Sequence, residues 1–259
     1  MRLDVYMVSA GLAASREAAK RLIEEGAVTL DGVVVKKPAK DVAGEPQITV
    51  LPKRYVGRGG EKLEGALSLF GVSPLGLRAL DIGASTGGFT DCLLQHGAAH
   101  VVALDAGQGQ LHQTLREDVR VTNIEKYNAR NLTPADTGIC DMAVMDVSFI
   151  SQTLILPKIP DVLREEGILI SLIKPQFEAG RAALNKQGVV RHAKDRVLAV
   201  RRVLSAAAEA GLSCRGLAPS PILGGDGNEE FLAYFQKTKT PTVKEIDVLR
   251  VVLKKEVQI

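Results

Sequence analysis

The chain has 259 residues, 46% hydrophobic and 24% charged, the balance of an ordinary globular protein with room for a medium domain beside a small one. No apolar run reaches the roughly 18 residues that span a bilayer, and the first residues form no apolar signal core, so the expectation is a cytoplasmic protein with no membrane partner. Formal net charge is only +3, so total charge does not argue for nucleic acid, and any such case rests on where the positive charge sits.

Over the first fifty residues the pattern predicts a small α+β unit. Ser15 is a good N-cap for a helix over 16–25, and Gly26 supplies its stop. Ala19, Leu22 and Ile23 share one face, while Arg16 and Lys20, four apart, share another with Arg21 beside them. Short β runs at 28–30 and 33–35 flank Asp31-Gly32, a strong hairpin signal, and Lys36 and Lys37 follow the second run. Residues 53–64 read as a basic linker: Gly57, Gly59 and Gly60 interrupt regular structure, and Lys53, Arg54, Arg58 and Lys62 concentrate charge.

From Leu77 onward, apolar runs at 79–82, 101–104, 142–147 and 168–173 alternate with segments long enough for helices, which predicts a parallel sheet. A helix is expected over 194–210, stopped by Gly211, then a last strand over 229–237. Pro241 separates a short amphipathic tail that reads as helical. The domain division that follows is 1–52, the linker 53–64, a larger domain 65–240 and the tail 241–259. Cys92, Cys140 and Cys214 are widely spaced and odd in number, with no paired Cys or His spacing, so buried free thiols are expected and no metal.

The chemistry-bearing stretch of the larger domain is 81–88. After the strand ending at Ile82 the chain turns at Gly83 and passes Ala84, Ser85 and Thr86 to reach Gly87-Gly88 at the start of a helix. Small residues let a ligand approach the backbone, and a helix start offers free N–H donors. A glycine pair alone also fits a ligand-free turn. Asp81 beside the loop and Asp105 at the end of the second strand add carboxylates, the latter placed to accept a ribose. The spacing, Gly-x-x-x-Gly-Gly, departs from Gly-x-Gly-x-x-Gly and lacks the second glycine that a pyrophosphate needs. S-adenosylmethionine carries no phosphate, so it is favoured as cofactor over a nicotinamide dinucleotide. Phe89 either packs near the cofactor or belongs to the core of the first helix.

The run Asp-Ile-Gly-Ala-Ser-Thr-Gly-Gly-Phe-Thr-Asp over 81–91 resembles the cofactor loop of FtsJ-type RNA ribose methyltransferases. Residues 1–50 resemble the S-four-type RNA-binding module, in Arg-Leu-Asp near the start, Ser15-Arg16, Ala19-Lys20, Ile23-Glu24-Glu25-Gly26 and the Leu-Asp-Gly hairpin. The two together are similar to the TlyA family, also called haemolysin A. The resemblance implies an α/β fold, a Rossmann-like S-adenosylmethionine methyltransferase domain with a small N-terminal α+β RNA-binding domain. It also implies ribosomal RNA as partner, with cytidine 2′-hydroxyls of the small or large subunit as substrate.

The resemblance also implies a Lys-Asp-Lys-Glu tetrad, matched by Lys62, Asp146, Lys174 and Glu230, with Glu229 the alternative for the last. Asp146 and Lys174 end apolar runs, where open parallel sheets gather their ligands. A lysine at such a place sits where the charged form is costly, which makes it a candidate base. Lys174 is expected to take the proton of a ribose 2′-hydroxyl or steady the developing alkoxide, held by Asp146 and Glu230, with Lys62 orienting the ribose or a phosphate. Activity is then expected to rise with pH from neutral to alkaline. Arg2, Arg16, Lys20, Arg21, Lys36, Lys37 and Arg58 are the expected RNA contacts, although Glu17, Glu24 and Glu25 also fit a merely solvated helix face. Tyr55 could stack on a base or pack against the domain. A membrane-lytic protein and a non-catalytic RNA-binding factor are the rival classes.

Overall fold

At the tip of the first hairpin Asp31 and Gly32 both take positive φ, 52° and 79°, the two-residue turn whose twist matches its strands. In the computed structural model, which describes residues 1–24, 26–52, 54–224, 227–238 and 245–253, the hairpin lies in the first of two units, Met1–Arg54. Glu25 and Lys53, both used in the sequence reading, fall outside the described residues.

This unit runs α1 (Leu3–Ser9), α2 (Arg16–Glu24), β1 (Val28–Leu30), β2 (Val33–Val34) and β3 (Ile48–Val50), with β1 central in an antiparallel sheet of order β2-β1-β3. Neither α1 nor β3 is expected from the sequence. Val5 and Val8 are β-branched, and Arg2 caps α1 with no side-chain bond. The helix forms because Leu3 and Met7, four apart, are both fully buried in a core with Ala19, Ile23 and Val28. Asp4 is buried beside them and accepts N–H bonds from Arg2 (3.0 and 2.9 Å) and Arg16 (3.3 Å). The Arg2 fork draws the Asp4 carboxyl down to about 2, against the cost of burial.

The second unit, Tyr55–Ile259, begins with α3 (Gly59–Phe70), β4 (Arg78–Ile82), α4 (Gly88–Gln95), β5 (His100–Leu104), the one-turn α5 (Gln113–Arg116) and β6 (Val121–Ile124). It continues through α6 (Pro134–Thr137), β7 (Cys140–Met145), α7 (Ile159–Val162), β8 (Leu163–Ile173), α8 (Pro175–Glu178) and α9 (Ala193–Glu209). It closes with β9 (Leu212–Pro219), β10 (Phe231–Lys237) and α10 (Glu245–Leu253). Of the tail read as helical, 241–244 and 254–259 lie outside the described residues.

The sheet order is β6-β5-β4-β7-β8-β10-β9. Strands β6 through β8 are parallel, and β10 is antiparallel to both its neighbours. Successive residues of β4 and β5 alternate between two cores, which is the period of a strand covered on both faces. Leu80, Ile82, Val102 and Leu104 belong to one continuous core, to which Val200 and Val203 of α9 and Val248 and Val252 of α10 also contribute. Ala79, Val101 and Ala103 pack with Leu63 and Leu67 of α3 and Phe89 and Leu93 of α4. The result is the expected Rossmann-like three-layer α/β architecture.

The edge strands β6 and β9 escape sequence reading, because an edge carries less apolar patterning. Thr122 of β6 is exposed, and β9 contains Gly216 and ends at Pro219, which an edge tolerates. The stretch read as a linker is helical from Gly59. All three cysteines are free and buried. Among the described residues no helix is long and apolar enough to cross a membrane.

Candidate active site

The parallel strands are paired so that their carboxyl ends align: Ile82 opposite Leu104 and Met145, and Met145 opposite Ser171. The next residues along each strand, Gly83, Asp105, Asp146 and Lys174, therefore emerge at one rim of the sheet, beside the point where β4 separates β5 from β7. Glu230 reaches the same rim from the other direction. It precedes β10, and because that strand is antiparallel its first residue, Phe231, lies opposite Ile173.

Lys62 comes from α3, and small residues bring it in. A Cβ on Gly88 would lie 3.0 Å from the Gly60 nitrogen, 3.1 Å from the Gly57 oxygen and 3.2 Å from the Gly59 nitrogen. The starts of α3 and α4 thus touch backbone to backbone, an approach that side chains would block. One turn into α3, the Lys62 Nζ donates to Glu230 Oε2 at 2.6 Å. Gln176 Nε2 donates to the other Glu230 oxygen at 3.2 Å.

On the far side of the cleft Lys174 Nζ lies 2.7 Å from Asp146 Oδ1 and donates to Ser148 Oγ at 2.8 Å. An ammonium has three donors, and the Ser148 bond uses one of them. Pro175 follows Lys174 and keeps it extended (φ −109°, ψ 97°) at the strand end. Gln152 braces this turn from below. It accepts from Ser171 Oγ (2.6 Å), donates to the Leu172 carbonyl (2.5 Å), and its backbone N–H donates to Glu178 (2.8 Å). Lys62, Asp146, Lys174 and Glu230 line one cleft of about 260 Å³ with Arg58, Phe89 and the loop 83–86. Glu229 turns away to pair with Arg196 at 3.0 Å, which separates it from Glu230.

The loop itself is tightly built. Gly83 and Gly87 have φ of 87° and 95°, and Ser85 is also left-handed at 48°. Asp105 accepts the Ser85 N–H (2.8 Å) and the Gly107 N–H (2.7 Å), one on each oxygen. A carboxylate has about four lone-pair sites, so both oxygens keep capacity for a ribose. Asp105 opens on a second cavity of about 390 Å³, lined by Ile82, Leu104, Val147, Ile150 and Ile155 with Tyr127 and Asn128. An apolar wall with a few polar groups at one end suits a nucleoside. Tyr127, Asn128 and Ile150 carry no motif, and sequence reasoning misses them. Their only signal is position shortly after β6 and β7, which requires the topology to interpret.

Two residues read as cofactor ligands do not line either cavity. Asp81 is fully buried behind the loop and accepts from Thr90 Oγ1 at 2.6 Å. Burial pushes its carboxyl up to about 7, opposed by the Thr90 bond and assisted by the charges of Asp146 and Asp105. Gly87 is buried too, and a Cβ there would meet Leu115 and Leu111. Phe89 is 2% exposed in the core and also forms part of the cleft wall. Tyr55 is buried, packed where a Cβ on Gly60 would strike its ring.

A third cavity, about 700 Å³, adjoins Lys174 and Glu230 and includes Phe149, Phe177, Arg181 and Asn228. Phe149 is 92% exposed at φ 63°, its ring 5.2 Å from that of Phe177 and tilted by 52°. An exposed aromatic in a strained backbone setting is a functional signal that composition alone hides.

Of the expected RNA contacts, Arg21, Lys36 and Lys37 are exposed and Lys20 is half-buried on the first unit. Arg2 and Arg16 are exposed but tied to Asp4. Arg58 stands on the second unit at the mouth of the cleft.

A profile of the FtsJ-like methyltransferases matches residues 55–237, and one of the S4 domain matches residues 1–48. The chain is 43% identical to the 16S/23S rRNA (cytidine-2′-O)-methyltransferase TlyA of Mycobacterium tuberculosis, over 91% of this chain and 89% of that one. The chain belongs to the TlyA family of FtsJ-like methyltransferases. Another TlyA relative, the 23S rRNA (cytidine-2′-O)-methyltransferase of Campylobacter jejuni, is 33% identical over 92% of this chain and 100% of its own. A solved structure of a candidate hemolysin from Streptococcus thermophilus is 42% identical, with a TM-score of 0.78 over 98% of this chain and 94% of that one.

Proposed function

We propose that this TlyA-family protein methylates the ribose 2′-hydroxyl of cytidines in ribosomal RNA, with S-adenosylmethionine as donor. The observation that carries the reading is the convergence of two lysine–carboxylate pairs, Lys62–Glu230 and Lys174–Asp146, on a cleft whose wall is the loop at Gly83.

The residues present fit the cofactor. Asp105, oriented by two backbone N–H groups, would hold the ribose hydroxyls, the apolar cavity beside it the adenine, and the loop Gly83–Gly88 the amino-acid end. When bound, S-adenosylmethionine supplies a methyl group activated by a sulfonium. Lys174 would meet the target 2′-oxygen, its neutral amine taking the proton or its ammonium steadying the developing charge, while Asp146 and Ser148 hold the lysine in place. Lys62, fixed by Glu230, would position the ribose or its phosphate. The tilted pair Phe149–Phe177 offers a face on which a splayed-out base can stack. Alignment of the attacking oxygen is worth up to about 7–11 kcal/mol in well-ordered sites, which gives this rigid bracing a catalytic purpose.

The two TlyA relatives differ in the subunit RNA named for them, 16S and 23S in one and 23S in the other. The test is transfer of labelled methyl from S-adenosylmethionine to small subunits, large subunits and whole ribosomes, with the modified nucleotide mapped. Labelled cytidine 2′-O-methyl in either subunit is the expected result. Cofactor binding with no label in any particle would overturn the reading.

A further inference from the structure

The chain's positive charge is concentrated in a place that no motif marks. Residues 179–196 hold five of its 33 basic residues and one of its 30 acidic ones, so the other 241 residues carry 28 basic against 29 acidic side chains. Four of the five, Arg181, Lys186, Arg191 and Lys194, are exposed, and among the described residues none lies within ion-pair reach of a carboxylate. This sets them apart from Arg2 and Arg16, which Asp4 already engages. Unpaired surface cations clustered on one segment form an electrostatic footprint for a polyanion.

The segment is also built to stay in place. Leu184 and Val190 form an antiparallel bridge, and the Asn185 N–H donates to the Val189 carbonyl at 2.9 Å. The Asn185 side chain accepts from the N–H groups of Gln187 and Val189, both at 2.9 Å. The buried Asn228 clamps the hairpin from outside, accepting from the Val190 N–H and donating to the Gly188 carbonyl, both at 3.2 Å. Asn228 is two residues from Glu230, and Arg181, Leu184 and Gly188 line the 700 Å³ cavity that Lys174 and Glu230 also line. The cationic hairpin is therefore fastened to the segment that delivers a candidate catalytic carboxylate.

Resting on the function proposed above, we propose that this hairpin is a second RNA-binding surface, on the methyltransferase unit itself. Lys186 of the hairpin, with Arg191 just after it and Lys194 in the first turn of α9, grips the phosphates flanking the target nucleotide while the adjoining cavity receives that nucleotide. Phosphate contacts hold register without reading sequence, which is what a rigid, cation-bearing hairpin beside a pocket can provide.

The test uses the full chain with Lys186→Ala, Arg191→Ala and Lys194→Ala combined, none of which lines the cofactor cavity. Binding to ribosomal particles is measured against salt, and methyl transfer against particle concentration. The logarithmic salt slope should shrink by about 3, roughly one for each phosphate that is no longer neutralised. KM for the particle should rise at least about tenfold at unchanged S-adenosylmethionine affinity, as removing several phosphate-binding charges implies. A charge-retaining set, Lys186→Arg, Arg191→Lys and Lys194→Arg, should keep the original slope. An unchanged slope in the alanine variant, or a slope reduced equally in the charge-retaining one, overturns the proposal. If the unaltered protein methylates no particle, the activity reading fails, while the salt slope still decides the hairpin.

Discussion

Lys62 and Glu230 stand 168 positions apart, yet their side chains meet at 2.6 Å with only 10% and 2% of their surfaces exposed. Such a pair is costly to break from one side, because the remaining charge stays buried without a partner.

Lys62→Ala and Glu230→Ala should therefore each lose about 3–5 kcal/mol of stability as well as methyl transfer. The double replacement Lys62→Met with Glu230→Leu should recover most of the stability and none of the activity, since an apolar pair of similar size removes both charges together. Urea denaturation beside the transfer assay separates the two effects. An active double variant would reduce the pair to a structural role.

Lys174→Ala should lower methyl transfer by about 10²–10⁴, the usual contribution of a positioned proton acceptor, while calorimetric S-adenosylmethionine affinity changes little. Lys174→Arg should not rescue it, because a guanidinium does not exchange a proton in this range and its planar fork will not fit between Asp146 and Ser148. Full turnover by the alanine variant on ribosomal RNA would exclude Lys174 from the reaction.

Asp81 gives the fold a pH dependence. Its carboxyl stands at about 7 in the folded chain against 3.8 when free. Between these values the folded state holds the proton that the unfolded state has released. The stability that Asp81 contributes should therefore be fully present below about pH 4, be lost as pH rises toward 7, and level off above it. Asp81→Asn keeps an acceptor for Thr90 and removes the titration, so this part of the slope should vanish. Thermal melts of both proteins from pH 4 to 8 provide the check, and parallel curves would contradict the burial argument.

Gly83→Ala should damage the loop twice over. At φ 87° a side chain is strained, and its Cβ would sit 2.7 Å from the Asp146 carbonyl oxygen. Overpacking of this kind costs about 1–3 kcal/mol, and the displaced Asp146 should weaken both cofactor binding and transfer. Retention of wild-type Tm and affinity would show that the loop tolerates the shift.

Much of the molecule is legible before folding. Alternating and continuous apolar runs locate β4, β5, β7 and β8, Asp31-Gly32 locates the hairpin, and the small residues of 83–88 locate a ligand loop. Each of these is a local property, since period, turn conformation and helix starts depend on residues within a few positions. What escapes is decided by packing. α3 reads as a linker because its glycines look like breakers, whereas they let its first turn lie against Gly88. Asp81 reads as a ligand because it adjoins the loop, whereas the alternation of β4 turns it into the core.

Local patterning carries the two-part α/β plan and the ligand loop, and family resemblance supplies the identities of four candidate catalytic side chains. How those side chains pair is a matter of the folded chain. Lys62 finds Glu230 because β10 runs antiparallel and because two helix starts touch through glycine. A contact between residues 168 positions apart depends on strand direction and backbone clearance, neither of which a linear pattern records.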